Sequence, residues 1–110
     1  MKISKELLKG STAMMVLRVI SEGETYGYEL VQQLYRKSEG TFKLNEGTLY
    51  PILHTMEKEG YIESFRRESD SGRERKYYRI TAAGSIQLAA QMEEWSAFTK
   101  AVDGVLGEVN

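Results

Sequence analysis

The stretch from Asn45 to Gly60, Asn-Glu-Gly-Thr-Leu-Tyr-Pro-Ile-Leu-His-Thr-Met-Glu-Lys-Glu-Gly, restricts the fold more than any other part of the chain. Leu49, Ile52, Leu53 and Met56 recur at i, i+3, i+4 and i+7, the spacing of one buried face of an α-helix. Asn45 suits the N-cap, because its side-chain oxygen can accept from a free first-turn amide. Gly60 can stop the helix in a left-handed turn. The opposite face carries Gly47, Pro51, His54 and Lys58, flanked by Thr48, Tyr50 and Thr55, with Glu46, Glu57 and Glu59 off its centre. A neutral-to-cationic face of small and hydrogen-bonding residues fits a groove of DNA. An ordinary core helix with a solvated face has the same periodicity, so the flanking segments have to separate the two.

After Gly60 the period changes. Tyr61–Arg67 and Arg75–Ile80 are rich in aromatic residues and read as strands, and Ser69-Asp70-Ser71-Gly72 between them is a turn signal. Arg66, Arg67, Arg73, Arg75, Lys76 and Arg79 crowd this hairpin against Glu68, Asp70 and Glu74. The chain as a whole has a net charge of -1, so the basic segment stands out locally, as expected where one face meets phosphate. A solvated hairpin of mixed charge is the plainer alternative.

Before Asn45, the apolar density from Lys5 to about Ile20 predicts one helix buried on more than one side. Tyr26 to about Ser38 predicts a second, with Glu39-Gly40 ending it and Leu44 as a hydrophobic staple for the helix that follows. Two short helices and then a basic hairpin make a winged helix-turn-helix, in which the hairpin is the wing. Thr81 can cap a last helix to about Leu106. Ile86, Leu88, Met92, Trp95, Phe98, Val102 and Leu106 form a stripe along it that is too long for a small core to cover, so a second copy of the chain is the expected partner. The fold class is therefore α+β, mainly α, with residues 1–80 as the DNA-binding part and 81–110 as a dimerisation helix within one compact unit.

Two segments resemble signatures of the PadR family of bacterial transcriptional regulators. One is Glu46-Gly47-Thr48-Leu49-Tyr50-Pro51-Ile52-Leu53, continued by Met56–Ile62; the other is Gly72–Thr81, followed by Gly84. Tyr26-Gly27-Tyr28-Glu29-Leu30 is similar to the start of the family's second helix. The resemblance spans nearly the whole chain with the motifs in the family's order. It implies a winged-helix repressor, dimeric through its last helix, on a palindromic operator of double-stranded DNA near its own promoter. The short length resembles the smaller, LmrR-like multidrug-sensing type. In that type a tryptophan of the last helix, where Trp95 stands here, stacks planar aromatic drugs across the dimer axis. The same likeness implies Leu7, Gly10, Ala13, Met14, Met92 and Thr99 as ligand-binding positions. Ala13 and Thr99 replace polar or acidic residues of that type, so a neutral aromatic or phenolic compound fits as well as a cation.

From the residues themselves, Thr48, Tyr50 and His54 are the side chains expected against phosphate or base edges. Gly47 lets the backbone approach the duplex, Asn45 caps the helix, and Arg73, Arg75 and Lys76 supply wing contacts. Tyr77, Tyr78 and Ile80 are expected in the core of the sheet. One histidine, no cysteine and no phosphate-cradling glycine loop argue against an enzyme, a metal site or any required cofactor. No apolar run is long enough to span a bilayer, and the first residues lack the pattern of a signal peptide, so the cytoplasm is the expected compartment. The alternative function is a winged-helix module that binds protein, with neither DNA nor small molecule. Glu46 and Glu63 allow it, and the basic wing speaks against it.

Overall fold

The structure, a computed structural model, describes residues 2–107. Residues 108–110 of the expected dimerisation segment lie outside the described residues. The helix predicted from Lys5 to Ile20 is instead two: α1 (Lys5–Leu8) and α2 (Thr12–Ser21). Gly10 takes φ +85°, a conformation glycine adopts without a Cβ clash. The Ser11 and Thr12 hydroxyls donate to the Leu8 carbonyl at 3.0 and 2.9 Å, so side chains replace the helical backbone bonds at the break.

A two-residue strand, β1 (Thr25–Tyr26), precedes α3 (Gly27–Lys37), and α4 (Glu46–Lys58) follows. Asn45 Oδ1 accepts from the Thr48 amide at 2.9 Å, the expected cap, and Gly60 ends the helix at φ +82°. The hairpin consists of β2 (Ile62–Glu68) and β3 (Glu74–Ile80), paired antiparallel from Ile62–Ile80 to Glu68–Glu74. β1 adds to β3 through Thr25–Tyr78 and Tyr26–Tyr77, giving a three-stranded sheet of order β1-β3-β2. Sequence reasoning missed β1, which has no period of its own and exists only through Tyr77 and Tyr78.

The core lies between α2, α3, α4 and the sheet. Val16, Leu17, Val19 and Ile20 meet Leu30 and Leu34, Leu49, Leu53 and Met56, with Ile62, Tyr78 and Leu88 closing it. Ile52 and Leu44 are partly buried against this cluster. Thr81 Oγ1 accepts from the Gly84 amide at 3.0 Å and starts α5 (Ala82–Leu106), which packs on α2. At 1.5 Å per residue α5 is about 37 Å long, in a molecule whose two shorter extents are 30 and 20 Å. Its apolar stripe therefore runs off the core. In the single chain Phe98 is 58% exposed and Val105 88%, and Ile86, Met92 and Leu106 are exposed too. Among the described residues no helix is long and apolar enough to cross a membrane.

Candidate nucleic-acid interface

The packing of α4 determines what its outer face can do. With Leu49, Leu53 and Met56 buried, the geometry of a helix leaves Asn45, Gly47, Thr48, Tyr50, Pro51 and His54 outward, and all six are exposed. Asn45 is committed to the cap, so its side chain has one bond already made. Tyr50 is not aimed freely outward. Its hydroxyl lies against Gly27, where an added Cβ would come within 2.8 Å of it, so the ring spans from α4 to the start of α3. Gly27 thus has a packing role that the Tyr-Gly-Tyr sequence alone does not reveal. Thr48 and His54 are the side chains with fewest intramolecular commitments on this face.

The wing is a two-faced ribbon, because side chains alternate along each strand and opposed residues share a face. Arg66 and Lys76 are paired across the ribbon on the face that continues from α4. Lys76 Nζ is 3.8 Å from Glu57 Oε1, and the Ser64 hydroxyl donates to the same carboxylate, tying the wing to α4. Burial pushes the phenol of Tyr78, on this face, above its ordinary pKa. Tyr50 and Glu57 add to the rise and Arg66 opposes it, so the group stays neutral at physiological pH.

Arg67, Arg75 and Arg79 occupy the other face, where they are already engaged. The Arg67 guanidinium lies 4.6 Å from the Tyr77 ring centre, Arg79 4.6 Å from that of Phe65, and Arg75 4.5 Å from that of Tyr26. Arg67 also bonds to Glu24, and Arg79 Nε donates to Glu63 at 2.7 Å, a bond that raises the Arg79 pKa. Arg75, expected as a phosphate contact, is half-buried with its Nε enclosed. The hairpin register places Arg75 on the face away from α4, over the Tyr26 ring. Of the six clustered cations, Arg66 and Lys76 are on the α4 side, in long contacts with Glu74 at 3.9 Å and Glu57 at 3.8 Å, and Arg73 stands exposed at the hairpin turn with no ion pair among the described residues.

The expected ligand-binding positions separate in the single chain. Met14, Met92 and Trp95 line one open groove of about 470 Å³ between α2, α3 and α5. Met15, Val19, Leu34 and Phe42 complete its apolar wall, and Arg18 and Lys37 stand at its edge. Sequence reasoning missed Leu34, on α3, and Phe42, in the segment between α3 and α4, which meet at the groove only in the folded chain. Lys37 is engaged with Glu22 at 3.0 Å. Gly10 lies in an adjoining shallow depression that shares Met14 and Trp95. Ala13 lines a separate cavity with Leu17 and Ile52, and Leu7 is exposed outside the groove. The Thr99 hydroxyl donates back to the Trp95 carbonyl at 3.0 Å instead of facing the groove. The Trp95 and Phe98 rings lie 6.0 Å apart along α5.

Residues 16–90 match the model of the transcriptional regulator PadR-like family. A PadR-like transcriptional regulator from Bacillus cereus has a similar crystal structure, with 37% identity, TM-score 0.83, and coverage of 94% of this chain and 100% of that one. A transcriptional regulator from Clostridium thermocellum is similar at 30% identity and TM-score 0.86, over 96% and 99% of the two chains. A Mycobacterium tuberculosis transcriptional regulator is 34% identical over 94% of this chain and 90% of its own length. The winged-helix architecture, the order of its motifs and these full-length likenesses agree: the chain belongs to the PadR-like family of transcriptional regulators and is not an enzyme.

Proposed function

We infer that the protein is a dimeric repressor that binds double-stranded operator DNA, with α4 in the major groove and the wing tip on the backbone. The observation that carries this reading is the outer face of α4. It is exposed, bears no acid at its centre, and stands beside a wing that carries Arg66 and Lys76 on the α4 side and Arg73, without an ion pair among the described residues, at its turn. Thr48 and His54 would meet base edges or phosphate, Gly47 would admit the backbone closely, and Arg73 and Lys76 would neutralise phosphates. A second copy would join through the exposed stripe of α5, setting two α4 helices on half-sites about 34–36 Å apart. The operator would include the region upstream of the protein's own gene, with an adjacent transporter or detoxification gene under the same control. A gel shift on that upstream duplex is expected to give a specific complex at moderate salt. A folded dimer that produces none would contradict the reading.

The groove beneath Trp95 supports a second element of the same function, a small-molecule effector as in the LmrR-like type. A planar aromatic drug or phenolic compound would stack on the indole, with Met14 and Met92 adapting around it. Such a ligand alters repression only if it binds one spacing of the two wings better than another. Trp95 is the only tryptophan, so its fluorescence reports this site alone. Titration with planar dyes is expected to quench or shift the emission. Unchanged emission across a broad panel would count against the groove as an effector site.

A further inference from the structure

A second surface adjoins the α4 face, and none of the roles above uses it. Tyr28, Gln32, Tyr35 and Arg36 of α3 form one wall of an open groove of about 450 Å³, and Lys43 with Leu44, just before the Asn45 cap, forms the other. The strip is continuous with α4 at both ends. Tyr28 follows Gly27, on which Tyr50 rests, and Lys43 leads into the first turn of α4. None of the side chains lining it is acidic, and the one nearby carboxylate within α3, Glu29, is occupied by the Thr25 hydroxyl at 2.6 Å and by Gln33 at 3.3 Å.

The groups on the strip are ready to serve an anion. Gln32 Nε2 donates to the Tyr28 oxygen at 2.9 Å, which leaves the phenol hydrogen free to donate outward, and Tyr28 is 56% exposed. Lys43 Nζ sits 5.7 Å from the Tyr35 ring centre, held at the rim by the ring face. Among the described residues neither Arg36 nor Lys43 makes an ion pair, whereas Arg66, Arg67, Lys76 and Arg79 all do. Arg36 and Lys43 thus join Arg73 and Lys58 as cations on or near α4 that make no ion pair among the described residues.

We propose that Tyr28, Arg36 and Lys43 form a second backbone clamp that grips the phosphates on the far side of the major groove from the wing. The first helix of a helix-turn-helix crosses the backbone, and α3 has that place here. With the wing on one side and this strip on the other, α4 is held in register between two phosphate contacts. Such contacts position the helix and carry no base information. The proposal rests on the reading of the protein as a DNA-binding dimer.

The test is a fluorescence anisotropy titration of the full chain on the upstream duplex and on a scrambled duplex, across a salt series. The variants are Arg36→Gln/Lys43→Gln, Tyr28→Phe, and a control, Lys5→Gln/Lys9→Gln, that removes the same charge from α1 and the turn after it. Each phosphate contact contributes about 0.9 to the slope of log affinity against log salt. Removing two phosphate-binding cations from each of two protomers makes the slope shallower by about 3.6, so the affinity drop on a fourfold rise in salt shrinks by about a hundredfold. This change is expected on both duplexes with the preference between them kept, while the control keeps the wild-type slope. Tyr28→Phe is expected to weaken both complexes about tenfold at unchanged slope. A wild-type slope in the Arg36/Lys43 variant, or the same change in the control, overturns the clamp and leaves the α4 reading standing. A wild-type protein that binds neither duplex overturns both.

Discussion

Gly84→Ala is expected to destabilise the protein by about 3 kcal/mol, an amount at the upper end for overpacking of a close contact. A Cβ at this position would stand 2.0 Å from the Tyr61 carbonyl oxygen and 2.8 Å from Ile80 Cγ1. The first obstacle is backbone, so no rotamer change relieves it. That carbonyl also accepts from the Thr81 amide at 3.1 Å, and the Thr81 hydroxyl donates to the Gly60 carbonyl at 2.6 Å. Moving α5 outward to admit a methyl group would break the joint between the end of α4, the wing and the last helix. Thermal unfolding at fixed protein concentration should show a midpoint lower by on the order of 15 °C. A shift of only a few degrees would mean that the joint yields easily, and that the close approach at Gly84 does not hold α5 in place.

Phe98→Glu should separate the two copies with little effect on the fold of each. Phe98 touches no buried cluster of its own chain and is 58% exposed there, so the single domain loses little when the ring is removed. At a seam between two α5 helices the same position would put a carboxylate into an apolar surface, which costs several kcal/mol unless it finds a partner. Neighbouring α5 residues offer little help, because Glu93, Glu94 and Asp103 face only Lys100 along this helix. A rise in the dimer dissociation constant of at least about a hundredfold is expected, read by sedimentation velocity. Affinity for a two-half-site operator should fall with it. A variant that sediments as the wild type does would place the interface elsewhere.

Much of this molecule follows from local chemistry that a sequence displays. Asn45 and Thr81 are caps because each has an oxygen one bond from Cβ or Cγ and a free amide three residues on, and both bonds form. The stripe of α4 and the turn at Ser69–Gly72 are equally local. Three features were not legible because they arise only in three dimensions. β1 is held by pairing to a strand some fifty residues away. The break at Gly10 depends on a glycine that a helix could also have tolerated at modest cost. The division of the wing cations between two faces depends on the hairpin register, and sequence counting treats Arg66 and Arg67 alike. Only the register reveals that Arg67, Arg75 and Arg79 stack on Tyr77, Tyr26 and Phe65. The α3 strip was hidden for a similar reason: Tyr28, Arg36 and Lys43 are scattered in sequence and meet only after α3 and α4 pack.

The central claim, that the outer face of α4 reads DNA, is tested most directly by comparing Thr48→Ala/His54→Ala with the wild type. The measurement is affinity for the upstream duplex and for a scrambled duplex at one moderate salt concentration. The wild type is expected to prefer the upstream duplex by about a thousandfold or more. Removing base-edge bonds worth about 1–3 kcal/mol each should abolish most of that preference in the variant. Binding to the scrambled duplex, carried by the wing and the backbone contacts, should persist with its dependence on salt. A variant that keeps the full preference, with its fold intact, would contradict the claim that α4 supplies the contacts that recognise the operator.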